Sequence, residues 1–352
     1  MNKIRINDTV IGENSIPFVI AEAGINHNGE IAKALEMVSV AKKAGADAIK
    51  FQTFKASGIL LDESLTYTYS SQGKEVKESM YDMFKRCELL EEEWKQIKQK
   101  CVEENILFLS TPENQSDLEL LLDLNIQAIK VGSDDFTNIP LLKDYAKTKL
   151  PLIISCGMAT LSEIETTLKA IGALENYPVI LMLTTSEYPT EPKNVNLLKL
   201  KNLRERFPNI ILGYSDHTIG NLASSLAVAF GAKVFEKHFT LNNDFSGPDH
   251  WFSMNPNSLQ EWIKSIKDAN NMLGSAELKP TENEEKIKQI SRRSIVALKN
   301  ISKGEEFNKE NIGSRRPGNG LPANMIDIIL GHESTRNIEK GDFLLEDDFQ
   351  EN

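Results

Sequence analysis

One unit, repeated eight times, limits this chain more than any other feature: a short, almost wholly apolar run that closes on polar residues. The runs are residues 17–24 (PFVIAEAG), 47–53 (DAIKFQT), 106–111 (ILFLST), 128–133 (AIKVGS), 152–157 (LIISCG), 179–186 (VILMLTTS), 210–216 (IILGYSD) and 234–239 (VFEKHF). Runs that are apolar throughout, without alternation, read as strands buried on both faces, which is the habit of a parallel sheet. Between most of them lies a helix-like stretch, such as 161–171 and 220–230. Gly45-Ala46 and Gly231-Ala232 stand where such helices must stop. Eight strand–helix units over about 250 residues predict a (β/α)8 TIM barrel. A doubly wound open sheet is the alternative, and eight similar repeats disfavour it.

The flanks read differently. Residues 1–16 hold two short alternating segments around Asn7-Asp8 and predict an N-terminal β-hairpin. The barrel then occupies 17–275, with 56–90 as an inserted loop and helix over its mouth and 262–273 as its last helix. Residues 276–290 read as a charged linker with some helix. Residues 291–352 are a second, small domain with strand-like pieces SIVAL and FLLE and the run Arg315-Arg316-Pro317-Gly318-Asn319-Gly320. A domain of that size is marginal alone, so it is expected to dock on something.

A formal net charge of −11 without a Lys/Arg stripe argues against nucleic acid as a partner. No window approaches about 18 uninterrupted apolar residues, so no membrane span is expected. Lys3, Arg5 and Asp8 interrupt anything resembling a signal peptide. Cys87, Cys101 and Cys156 are odd in number and form no CxxC pair, which suits reduced thiols in the cytoplasm. In so acidic a chain an anionic ligand needs local cations.

A barrel of this kind carries its active site at the C-terminal strand ends. The polar residues there are Glu22, Lys50, Gln52, Thr111, Lys130, Ser133, Asp135, Ser155, Thr185, Ser186, Tyr188, Asp216, His217 and His238. Two lysines and several small hydroxyls at one mouth suit a phosphate or carboxylate. His217 and His238, two of only five histidines, end successive units and so emerge together. With nearby carboxylates they suit a divalent metal ion that keeps open positions. A single strand-end histidine is more often structural, and Ser or Thr often closes a strand only to cap the next helix. Cys156 reads as a small buried hydrophobe rather than a nucleophile. Lys130 or Lys50 as a Schiff-base nucleophile, in a pyruvate aldolase, is the competing chemistry.

The order of short motifs adds a resemblance. Ala21-Glu22-Ala23-Gly24-Ile25-Asn26-His27-Asn28-Gly29, Lys50-Phe51-Gln52-Thr53, Ser110-Thr111-Pro112 and Lys130-Val131-Gly132-Ser133 are followed by Ser186-Glu187-Tyr188-Pro189 and Ser215-Asp216-His217-Thr218. Glu236-Lys237-His238-Phe239-Thr240, Gly247-Pro248-Asp249-His250 and Arg316-Pro317-Gly318-Asn319-Gly320 complete the series. Together they resemble the bacterial sialic acid (nonulosonic acid) synthase family, with a C-terminal antifreeze-like (SAF, β-clip type) domain. The resemblance implies condensation of phosphoenolpyruvate with an N-acetylated amino-sugar aldehyde. It implies Lys50, Thr111, Lys130, Ser133, Ser155 and Ser186 around phosphoenolpyruvate, and His217 and His238 on a divalent metal ion, Mn2+ first, with Mg2+ or Co2+ as alternatives. Glu22 would act near the reacting centre, Asp135 would be the acidic group near the metal, and Gln52, Tyr188 and Asp249 would meet the sugar. Arg316 would reach in from the second subunit of a domain-swapped homodimer. Asp134-Asp135, Leu183-Thr184 and Glu113-Asn114 depart from the family's usual Gly-Glu, His-Cys and Phe-Asp. The sugar stays open between N-acetylmannosamine and diacetamido-trideoxy hexoses, with a lean toward legionaminate-type products. Binding of the small domain to a surface or ice-like lattice is a further, minor alternative, because Arg316 and its charged neighbours suit a polar ligand better.

Overall fold

A computed structural model describes residues 3–349. The chain divides between Gly274 and Ser275 into two compact units. The first begins with the expected hairpin, β1 (Ile4–Ile6) antiparallel to β2 (Thr9–Ile11). Then follow β3 (Phe18–Gly24), β4 (Ala48–Thr53), an inserted pair β5 (Thr66–Ser71) and β6 (Lys74–Ser79), β7 (Leu107–Pro112), β8 (Ile129–Val131), β9 (Leu152–Ser155), β10 (Val179–Leu183), β11 (Ile211–Asp216) and β12 (Val234–His238). Leaving out the inserted pair, β3 to β12 form one eight-stranded parallel sheet in chain order, and β12 pairs back onto β3. Only β7 and β8, which lie side by side, lack a ladder between them, so the barrel is nearly closed.

Side chains alternate across each strand, and the period of two sorts them. Outward residues such as Val19, Ile49, Phe108, Ile154, Leu181 and Phe235 pack against the helices. In the helix Ile31–Ala44, Ala34, Met37, Val38 and Ala41 make the buried stripe, and Gly45 ends it at φ 93°, a conformation glycine adopts without strain. Inward residues Phe18, Ile20, Ala48, Leu109, Ala128, Ile153, Ile180, Met182, Ile211 and Val234 form a separate apolar core. Ile4, Ile6 and Ile11 of the hairpin belong to that core and plug the N-terminal end of the barrel. Two residues further along, the same inward face turns polar with Glu22, Lys50, Thr111, Lys130, Ser155, Thr184 and Glu236.

The insertion is more ordered than expected. It holds the β5–β6 hairpin, turning at Gln72-Gly73 with both φ positive, as a tight two-residue turn requires. The helix Met80–Cys87 follows, capped by Ser79, whose hydroxyl accepts from the Asp82 amide. The alternating TYTYSS carried a strand signal that its Gln-Gly turn, unlike Asn-Gly, did not announce. The last barrel helix begins earlier than expected, at Pro256, because Asn255 caps it.

In the second unit the helix Glu282–Ser291 precedes β13 (Ser294–Ala297), antiparallel to β14 (Ile312–Arg315), over a core that includes Ile295, Phe307, Ile329 and Leu344. SIVAL supplies β13, whereas FLLE makes one bridge, Phe343 to Val296, and no strand.

Candidate active site at the barrel mouth

A cavity of about 270 Å3 lies among the strand ends. It is lined by Glu22, Lys50, Gln52, Thr111, Lys130, Ser133, Ser155, Ser186, Tyr188, His217 and His238, all expected from the sequence. Glu113, Gly132, Asp134, Met158, Thr184, Ser215 and Glu236 complete the wall.

Its floor is a chain of buried charges. Lys50 Nζ donates to Glu22 Oε1 at 2.8 Å and to Thr111 Oγ1 at 3.2 Å. Lys130 Nζ donates to Ser155 Oγ at 2.9 Å and to the Val131 carbonyl at 3.2 Å. Glu236 lies between the two lysines, with Oε1 3.4 Å from Lys130 and Oε2 4.0 Å from Lys50. Ser215 Oγ donates to the same Oε1 at 3.2 Å. Burial pushes the Glu22 carboxyl up to about 7, the Lys50 ammonium opposing and Glu236 adding to the rise. Burial would raise Glu236 too, but Lys130 and Lys50 outweigh it and hold the carboxyl below its ordinary range. Burial likewise pulls Lys130 down against Glu236, whereas Glu22 and Glu236 overcome burial at Lys50 and hold it up. Two carboxyls in one pocket, driven apart in acidity, is the arrangement acid–base chemistry uses.

On the other side stand the imidazoles, their ring centres 5.7 Å apart. The Thr185 carbonyl lies 2.8 Å from His217 Nδ1, which fixes the proton there and leaves Nε2 with its lone pair. His238 Nδ1 is buried without a hydrogen-bond partner, and Asp249 Oδ2 is 3.8 Å away. Burial lowers His217 to about 4 and His238 well below its ordinary value, so both rings are neutral at pH 7. Their outward neighbours brace them. Asp216 accepts from Thr218 N and Oγ1, from Ser224 Oγ, and from Lys237 Nζ at 3.0 Å. Tyr188 lies against His217 with ring centres 4.1 Å apart and planes tilted by 31°, yet stays 45% exposed, a side chain open to a ligand.

The hydroxyls converge on a glycine. A Cβ at Gly157 would stand 2.5 Å from Ser186 Oγ and 2.6 Å from Ser133 Oγ, and the Gly157 amide donates to Ser133 Oγ at 3.1 Å. Gly157→Ala is therefore expected to turn both hydroxyls away. If the two hydroxyls hold an anion, losing two hydrogen bonds, at roughly 1 kcal/mol each, is expected to weaken inorganic phosphate binding by about tenfold or more in calorimetry. Unaltered phosphate affinity would remove the serines from the anion site.

Other expected residues lie off the cavity. Asp135 is not in the wall, since it accepts from Asn138 Nδ2 at 2.8 Å within its own loop, and Asp134 faces the cavity instead. Asp249 is not in the wall but lies beside it, 3.8 Å from His238 Nδ1, its carboxyl raised to about 6 by burial. Arg316 is exposed beyond the end of β14 in the second unit. Sequence reasoning named Glu236 and Glu113 but gave neither a role in the site. Glu236 was signalled by standing two residues before His238 on the same strand. Glu113 stands two residues after Thr111, and burial, then Asp134 and Asp135, push its carboxyl up to about 8.

Among the described residues no group of three or more His, Cys, Asp or Glu side chains is arranged to hold a metal ion. No helix among them is long and apolar enough to cross a membrane.

Comparison with known proteins gives this architecture its relatives. Residues 37–278 match the NeuB family and residues 292–350 match the SAF domain. An N,N'-diacetyllegionaminic acid synthase of Legionella pneumophila is 38% identical over 339 residues, 95% of each chain. A pseudaminic acid synthase of Campylobacter jejuni is 34% identical over 333 residues, 95% of this chain and 96% of its own. The crystal structure of an N-acetylneuraminic acid (sialic acid) synthetase from Leptospira borgpetersenii, in complex with citrate, superposes with a TM-score of 0.73 at 31% identity, covering 81% of this chain and 95% of that one. A barrel and a SAF domain in this order, shared with such relatives over nearly their whole length, place the chain in the NeuB family.

Proposed function

We propose that this chain joins phosphoenolpyruvate to the open-chain aldehyde of an N-acetylated amino-hexose, giving a nine-carbon nonulosonic acid and phosphate. One observation carries the reading: a single 270 Å3 cavity sets two buried lysines and a ring of hydroxyls beside two neutral imidazoles. The first group suits an anionic phosphate ester and the second a Lewis-acidic ion. The names of the relatives support the product class.

The residues fit a divalent metal ion. His238 Nδ1 is a buried nitrogen without a partner, His217 Nε2 is free, and both rings are neutral. They would supply two protein ligands to such an ion. Mn2+ suits such a set, and Mg2+ or Co2+ are alternatives. When bound, the ion polarises the aldehyde oxygen. The chain's own groups do the rest. Lys50, Lys130, Thr111, Ser133, Ser155 and Ser186 hold the phosphate ester so that its C3 faces the aldehyde carbon. A carbon–carbon bond forms there, and positive charge develops at C2. Water adds at C2, giving one proton to the Glu22 carboxylate, which passes it to the alkoxide left on the former aldehyde carbon. The C2 hydroxyl gives its remaining proton to the departing phosphate as the C2–O bond breaks, leaving the C2 ketone. Gln52, Tyr188 and Asp249 are assigned to the sugar.

The reading includes a second copy of the chain, whose Arg316 completes the sugar side in a domain-swapped homodimer. Exposed apolar side chains on the loops and helix starts after β9, β10 and β11, Met158, Leu198, Ile219 and Leu222, favour a covered rim. Three buried free cysteines agree with a cytoplasmic enzyme. The sugar preferred is a 2,4-diacetamido-trideoxy-mannose type, on the strength of the legionaminic acid synthase likeness, with N-acetylmannosamine next.

Phosphate release from phosphoenolpyruvate, Mn2+ and each candidate sugar tests the proposal, and release with none of them would sink it. Burial pulls the Lys130 amine down, the one observation that favours a Schiff-base aldolase. Trapping of pyruvate by borohydride, with activity surviving EDTA, would select that chemistry.

A further inference from the structure

The two lysines of the cavity are not equally provided for. Lys50 has its own carboxylate, Glu22, at 2.8 Å on the adjacent strand. Lys130 has on its side of the barrel only the Ser155 hydroxyl and the Val131 carbonyl, both neutral. Its counter-charge comes from β12, where Glu236 extends Oε1 to 3.4 Å. The other oxygen of Glu236 is buried, has no hydrogen-bond partner, and points toward Lys50 at 4.0 Å. One carboxylate thus spans both ammonium groups.

We propose that Glu236 is a positioning residue, an internal counter-ion that holds Lys130 and Lys50 as one aimed ammonium pair before the anionic substrate arrives. The inference rests on the proposed function only for the identity of that anion. A buried ammonium that loses its partner escapes by giving up its proton. The groups facing Lys130 are Glu22 on β3, Lys50 on β4, Ser155 on β9 and Glu236 on β12. Of the two carboxylates, Glu22 is already committed to Lys50. Without Glu236, Lys130 therefore turns neutral as pH rises, and neutral Lys130 no longer attracts phosphate.

The test is calorimetric binding of inorganic phosphate and of phosphoenolpyruvate to full-length protein, wild type against Glu236→Gln, at about pH 6.5 and about pH 9. Comparison at each pH cancels the ionisation of the ligands. The variant is expected to bind within about threefold of wild type at the lower pH and to be weaker by about tenfold or more at the higher. The KM for phosphoenolpyruvate should rise with pH in the variant while that for the sugar stays put. An equal ratio at both pH values would overturn the proposal, since a merely structural loss has no reason to follow Lys130. Lys130→Met and Lys130→Met/Glu236→Met complete a cycle that also serves if the glutamine variant fails to fold, because replacing both charges of a buried pair is tolerated. Removing Glu236 should matter little once Lys130 is gone, and additive losses would count against the idea. A wild type that binds phosphate with this response but condenses no sugar would sink the proposed function and leave the inference standing. An active wild type with an indifferent Glu236→Gln would do the reverse.

Discussion

Replacing either imidazole, His217→Ala or His238→Ala, is expected to lower phosphate release by about 10^3-fold or more while the protein stays folded. The size follows from the several kcal/mol a Lewis acid contributes to an addition of this kind, at one factor of ten for each 1.36 kcal/mol or so. Retention of the fold follows from position. Both rings face the cavity, and the bonds that secure their strands run through the outward neighbours Asp216 and Lys237, which stay in place. Binding of Mn2+, followed by the disappearance of its free electron paramagnetic resonance signal, should fall in both variants even without substrates. Full activity in either would break the metal assignment.

The second large effect belongs to Glu22. Its carboxyl is raised to about 7, so it is protonated below that pH and ionised above it. A base that takes a proton from water works only when ionised. The rate at limiting phosphoenolpyruvate is therefore expected to climb with pH through about 7 and to level off above it. Glu22→Gln should cost about 10^2- to 10^4-fold, the usual contribution of a general base, and should flatten the acid limb. A glutamine variant that keeps the limb would hand the titration to another group, and one that keeps the rate would remove Glu22 from the proton transfer.

The barrel was legible because burial on both faces leaves a parallel strand no room for polar residues until it reaches the mouth. The transition from Ile20 to Glu22, from Ala48 to Lys50 and from Ile153 to Ser155 marks the level of the cavity on each strand. Strand-end residues could therefore be assigned to one mouth from spacing alone. Glu236 was less legible because its run closes on His238, although strand alternation puts both on one face. Loop residues were less readable. Nothing in Asp134-Asp135 says which carboxylate turns inward, since that choice is made by the Asn138 amide. The β5–β6 hairpin escaped because its turn residues, Gln72-Gly73, rely on one glycine and a positive φ at glutamine.

The hairpin at the start of the chain has a practical consequence. Ile4, Ile6 and Ile11 seal the end of the barrel opposite the chemistry. Lys3, the first described residue, stands at that end beside Tyr177 and Ile210, and an extension would start near it. Tethering the protein to a solid support through such an extension turns the mouth toward the solution, with the reacting groups a full strand length away from the attachment point.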